Sequence, residues 1–144
     1  MIATARLATI RPLPLRIREF ADRDILHVCS WVKTQEALSL VSGDYANCLT
    51  PTIMAKWLSA AYISLVVTDR ATDKPLAFCT LSGSEITPLP SCYVELCHLI
   101  VNPTHRYLFL APRLCRAAQA LAFRSEYKFL CGRVVPMNRY AICL

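Results

Sequence analysis

The stretch VELCHLIVNPTHRYLFLA (Val94–Ala111) decides how this 144-residue chain folds. Val94–Val101 is an apolar run of the length of one buried strand, and Asn102-Pro103 ends it. Beyond it, Leu114, Ala117, Ala118, Leu121 and Ala122 recur at helical spacing, so Arg113–Tyr127 reads as a helix packed closely on a sheet. Pro112 is tolerable at its start, where a missing N–H costs nothing. A buried strand feeding a helix start gathers backbone N–H groups at one spot, which is how a fold binds phosphate without needing a particular side chain. The segment reads as an anion cradle.

Outward from it, Lys128–Val135 returns as a strand and Asn138 begins a last helical turn. Upstream, LRIREF (Leu15–Phe20) alternates with period two, which predicts an opening strand with one buried face. Asp22 follows as a helix cap, and Ile25, Val28, Cys29 and Val32 predict a helix over Arg23–Thr34. Residues 41–51 are turn-rich. Thr50-Pro51 then opens a second helix over Thr52–Ala61, with Ile53, Met54, Trp57 and Leu58 as its stripe. Ile63–Thr68 and Pro75–Ser82 form a hairpin through DRATDK, and Ser84–Ser91, with two prolines, reads as a loop. The order predicts one α/β domain over residues 15–144, a mixed sheet flanked by helices, behind an N-terminal extension of residues 1–14.

The charge is unevenly spread. Residues 1–100 hold nine Lys/Arg and nine Asp/Glu, whereas residues 101–144 hold seven Lys/Arg against Glu126 alone, so the net charge of +6 lies beside the cradle. Such a field suits a polyphosphorylated ligand. Nucleic acid would profit as well, but interleaved exposed aromatics to stack on bases are not expected there. The eight cysteines form no CxxC pair, and Cys92, Cys97 and His98 lack the second half of a zinc motif, so no metal is expected. Thiols at apolar positions imply a reducing, cytoplasmic setting. No stretch approaches the roughly 18–20 apolar residues of a membrane span. Residues 1–14 lack the continuous apolar core of a targeting peptide.

Arg106, Tyr107, Leu108, Phe109, Leu110 and Ala111 follow the spacing of a known phosphate loop: Gln or Arg, two residues, Gly, one residue, then Gly or Ala. The ends match and Phe109 stands at the central glycine. On this loop and its flanking strand and helix, the chain resembles the GCN5-related N-acetyltransferase superfamily. The resemblance implies an acyl-CoA N-acyltransferase fold with a mixed, mostly antiparallel sheet. It further implies direct acetyl transfer from acetyl-CoA to an amine acceptor. Leu99, Ile100 and Val101 would meet the pantetheine arm, residues 106–111 the pyrophosphate, and Asn138, in the pattern N-x-x-A-x-x-L with Ala141 and Leu144, the cofactor near its pantetheine.

Glu95 lies six residues before Val101, where one branch of the family carries its catalytic glutamate. An acid in an apolar strand is costly unless it faces a cleft, and burial would raise its pKa toward that of a useful base, so Glu95 is the base candidate. Its structural alternative is an edge-facing or solvent-facing glutamate. His98 is the second candidate base, and Cys97 has no partners that would make it a nucleophile. The family tyrosine seven residues after the asparagine would fall at position 145, and the C-terminal hairpin is missing. The uncovered sheet edge would invite a homodimer or a completing partner chain. The alternative function is a degenerate or truncated module that binds acyl-CoA or a protein partner without catalysis. Nothing in Gln35–Ala61 or Ser82–Ser91 identifies the acceptor.

Overall fold

The computed structural model describes residues 13–83 and 90–139. The extension up to residue 12, most of the expected loop Ser84–Ser91, and the positions of Ala141 and Leu144 lie outside the described residues.

Strand β1 (Leu15–Glu19) is followed by a 3-10 turn, Asp22–Asp24, that runs into the short helix α1 (Ile25–Cys29). The single helix expected over Arg23–Thr34 is therefore interrupted. Beyond Cys29 the ladder tightens to i→i−3 bonds, from Trp31 N–H to the Val28 carbonyl and from Val32 N–H to the Cys29 carbonyl, and it ends where the Val32 carbonyl accepts from Leu49 N–H instead. Thr34 then caps a helix not foreseen, α2 (Gln35–Ser39), by accepting from Ala37 N–H at 3.1 Å. Helix α3 (Pro51–Ala60) begins as expected, with Thr50 accepting from Ile53 N–H and Pro51 in the first turn.

Strands β2 (Ile63–Asp69), β3 (Pro75–Gly83) and β4 (Tyr93–Val101) follow. A 3-10 segment, Pro103–Leu108, leads into helix α4 (Leu110–Arg124), and β5 (Phe129–Gly132) closes the described sheet. The sheet order is β1-β2-β3-β4-β5. Every pair is antiparallel except β4 and β5, which run parallel from Tyr93↔Phe129 to Leu96↔Gly132. The fold class read from the sequence is the one observed, but β5 is half the length expected for Lys128–Val135.

Each face of the sheet buries its own core. On one face α4 sets Leu110, Leu114, Ala118 and Ala122 against Leu65, Val67, Cys79, Leu81 and Val94. The two alanines let the helix approach closely, and each buried leucine contributes about 1.5–3 kcal/mol. On the other face α1, α2 and α3 enclose Val28, Leu38, Met54 and Trp57 against Val66, Phe78 and Ile100. This second core is hemmed by charge. Arg18 of β1 donates to both oxygens of buried Asp24 at 2.7 and 2.9 Å and to Asp73 of the β2–β3 hairpin at 3.0 Å. Burial by itself would raise the Asp24 pKa; Arg18 and the Ala21 N–H outweigh it and hold the carboxyl below its ordinary value. Ile17, expected inward on the alternating strand, is instead exposed, because β1 is an edge strand and Arg18 occupies its covered side.

Candidate functional site

The site is built where β4 and β5 part. Pairing stops at Leu96↔Gly132, yet β4 continues to Val101, so residues 97–101 have no strand beside them on that side among the described residues. On its other side β4 carries a bulge. Thr80 opposes Cys97 and Phe78 opposes Ile100, which leaves Cys79 facing the two residues His98 and Leu99. His98 absorbs the extra residue with φ 52°, a left-handed conformation rare for a non-glycine side chain. The bulge reverses the alternation: Leu99 and Val101 pack toward α4 and Ile100 toward α3. Ile100 is buried and Leu99 and Val101 are half-buried against the α4 core, so it is mainly backbone that this stretch offers a ligand.

Glu95 is 3% exposed and lies in the paired half of β4. It is not the solvent-facing glutamate of the alternative reading. Its carboxylate is gripped bidentately by Arg133, just past β5, with Nε to Oε1 at 2.5 Å and Nη2 to Oε2 at 3.0 Å. The arginine side chain is 77% exposed. A buried carboxylate is thus neutralised by a cation that stays in water, and sequence reasoning gave Arg133 no such role. The signal was the register of two parallel strands, which sets Glu95 beside Cys131, two residues from the arginine.

His98 shares the Glu95 face and is half-buried. Its ring stacks on Trp57 of α3 at 4.0 Å and 11°, and Nδ1 lies 2.8 Å from the Thr80 hydroxyl oxygen. Trp57 in turn donates Nε1–H to Asp44 at 2.9 Å, and Asp44 also accepts from Lys56 and Ser42. Burial pushes the His98 pKa down to about 4, against the raising fields of Asp44 and Glu95 and with the lowering field of Lys56. The imidazole is therefore neutral at pH 7. Trp57, Thr80 and Asp44 are site residues that sequence reasoning missed; Trp57 figured only as part of a helical stripe. Cys97 is pushed up to about 11, by burial first and by the Glu95 carboxylate second, so its thiol stays protonated and is no nucleophile.

The expected phosphate loop is mostly helical. Arg106–Leu108 belong to the 3-10 segment, Phe109 is left-handed at φ 52° and ψ 37°, and Leu110 and Ala111 already lie in α4. Phe109 thus adopts the backbone shape that the missing glycine would supply, with its ring 77% exposed. No side chain caps α4. Its first N–H groups, on Leu110 and Ala111, lack intrahelical partners by the geometry of a helix start and favour an anion. Pro112, now the third helical residue, subtracts one donor. Leu110 anchors this end in the core, while Arg106 and Arg113 are exposed around it. Asn138 lies against α2, its Nδ2 donating to the Leu40 carbonyl at 3.4 Å. Among the described residues no group of three or more His, Cys, Asp or Glu is placed to hold a metal, and no helix is long and apolar enough to cross a membrane.

No protein-family model matches this chain, and no curated protein matches it by sequence. Solved structures match it by shape. It superposes on a GCN5-related N-acetyltransferase from Kribbella flavida with a TM-score of 0.72 at 19% identity, covering 92% of this chain and 80% of that one. Against the ribosomal-protein-S18-alanine N-acetyltransferase from Escherichia coli the values are 0.65 and 15%, covering 90% and 72%. Against Ard1 from Thermoplasma volcanium they are 0.69 and 18%, covering 90% and 77%. At these identities the likeness establishes a shared fold.

Proposed function

We propose that this chain, which has the fold of the GCN5-related N-acetyltransferases, transfers an acetyl group from acetyl-CoA directly to a primary amine in a reducing, cytoplasmic compartment. The observation that carries this reading is the parting of β4 from β5 beside an uncapped helix start. The opened backbone of Leu99, Ile100 and Val101 fits the pantetheine arm. The N–H groups of Leu110 and Ala111, with Arg106, Tyr107, Leu108 and Phe109 leading into them, fit the pyrophosphate, and the family resemblance gives Asn138 a contact near the pantetheine. Holding the thioester beside the amine supplies most of the rate in such a reaction; what remains is removal of one proton. Two groups on one face of β4 can take it. Glu95 does so only when Arg133 releases it, whereas His98 is neutral and half-buried.

The Glu95–Arg133 pair also favours a second reading, a module that binds acyl-CoA without turning it over. The first test is the shift in thermal stability with saturating acetyl-CoA, against ADP and an unrelated polyanion. A ligand bound only by the folded state adds about 2.7 kcal/mol at a hundred times its dissociation constant. A shift selective for acetyl-CoA, followed by acetylated product from an amine panel, is the expected outcome. The selective shift without any product would leave the binding module. The same shift from any polyanion would sink both readings.

A further inference from the structure

We propose that His98 is the general base of the transfer, with Nε2 as the proton acceptor, and that Thr80 and Trp57 position it. The inference rests on the acetyltransferase reading and goes beyond it by choosing between the two groups on β4.

The bulge is the first argument. Under strict alternation His98 would point toward α4 with Val94 and Leu96; the extra residue at φ 52° turns it onto the face of Glu95 instead. A left-handed histidine is a strained choice, and such strain collects where a side chain must be aimed. The second argument is the tautomer. The 2.8 Å contact between the Thr80 oxygen and Nδ1 fits either tautomer; with the one hydroxyl hydrogen directed to the Cys97 carbonyl at 3.4 Å, the Thr80 oxygen accepts from Nδ1–H. We take that arrangement, with the proton on Nδ1 and the open lone pair on Nε2. Third, Trp57 stacks flat on the ring and is itself fixed by its bond to Asp44, so the imidazole has little freedom to swing. Glu95 is the poorer acceptor: each of its oxygens already takes a hydrogen bond from Arg133, and its side chain is 3% exposed, so its remaining lone pairs are shut away.

In the step assigned to it, Nε2 takes a proton from the amine as the amine nitrogen bonds to the thioester carbonyl carbon and the C–S bond breaks. The imidazolium so formed returns the proton to the leaving thiolate or to water, and the ring is neutral again. The groups around the ring are Asp44, reached through Trp57, Lys56 on α3, Glu95 and Cys97 on β4, and Thr80 on β3.

The tautomer is tested first, on the unaltered protein, by ¹⁵N spectroscopy of the histidine rings, with the His98 signals assigned by their loss in His98→Asn. The expected spectrum at pH 7 has the proton on Nδ1 and stays neutral down to about pH 5. A proton on Nε2 overturns the proposal. Transfer from acetyl-CoA to tyramine, spermidine and an alanine-first peptide is then followed by product mass. Asparagine tolerates a left-handed backbone, so His98→Asn should fold and bind acetyl-CoA with an unchanged thermal shift. Its kcat should fall by about 100-fold or more, the usual worth of a general base. In His98→Gly, imidazole added to the buffer should restore part of the rate. If the parent protein yields no product with any amine, the acetyltransferase reading fails and takes this one with it. If the parent is active and His98→Asn keeps its rate while Glu95→Gln loses it, only the His98 assignment fails.

Discussion

Toward α4, strand β4 presents Val94, Leu96, Leu99 and Val101, all apolar; toward α1 and α3 the same nine residues present Glu95, His98 and Ile100. The first face is held by packing alone, so its stability follows volume and ignores pH. The second mixes packing with an ion pair, a stacked histidine and the Arg18–Asp24–Asp73 cluster at its border, so its stability and its chemistry depend on which groups carry charge. One extra residue in the strand creates the contrast. Without the bulge, His98 would lie among the leucines of α4 and Leu99 would lie beside Glu95. The comparison teaches that the chemistry of this sheet is confined to one face by backbone geometry, while the other face is free to be a core.

The sharpest way to break the comparison is to damage the apolar face. Leu114→Ala removes a fully buried side chain from α4 and leaves a cavity against Leu81 and Val94. The expected loss is about 2–5 kcal/mol. Measured by urea unfolding, it should be the same at pH 5 and pH 8, since burial pushes the Cys79 thiol of that core far above this range. A loss that grew toward acid would mean that the two faces are coupled.

The two faces were unequally legible in the sequence. The spacing of Leu114, Ala118 and Ala122 announced α4 and the side it buries, and the three long strands β2, β3 and β4 were readable to within a residue or two because each is an apolar run between turns. The bulge was not legible. Val94–Val101 is apolar at almost every position, so nothing in the run says where its alternation reverses, and Glu95 and His98 could not be set on one face. Arg133 closing on Glu95 was hidden for a similar reason, since the two are 38 residues apart and only the parallel register joins them. The short helices around Ser30 and Thr34 were misjudged because Val32 keeps the helical spacing while its carbonyl bonds to Leu49 instead. Phe109 was a departure from the phosphate-loop pattern in identity but not in shape, because its left-handed backbone keeps the form that glycine ordinarily supplies.

On the charged face, Asp24→Asn should cost about 1–3 kcal/mol at pH 7, since it weakens a buried hydrogen-bonded ion pair and leaves Arg18 with a neutral partner. The cost should carry a pH signature that Leu114→Ala lacks. The folded Asp24 carboxyl titrates below its ordinary value of 3.8, so its stabilisation is fully present above that value and is lost as pH falls through the folded pKa. The gap between parent and variant should thus be widest at neutral pH and narrow toward pH 3. His98 is common to both proteins and drops out of the difference. A gap that stayed constant from pH 7 to pH 3 would mean that the Arg18–Asp24 contact contributes through shape rather than charge.

The smallest effect should come from Phe109, at the junction where both faces of β4 lead into α4. Its left-handed backbone costs roughly 1 kcal/mol in a non-glycine residue. Its ring is largely in water, and no hydrogen bond compensates by capping the helix. Phe109→Gly removes the strain and adds some freedom to the unfolded chain, so the net gain should be a fraction of a kcal/mol, seen as a slight rise in the urea midpoint. Acetyl-CoA should bind more tightly to the variant, because loss of the ring lets a diphosphate approach the N–H groups of Leu110 and Ala111. Under the mechanism proposed above, kcat should be unchanged, since His98 lies on a different element. A stability gain with weaker acetyl-CoA binding would mean that the Phe109 ring is itself a contact for the ligand, and that the phenylalanine serves the site in which it replaces a glycine.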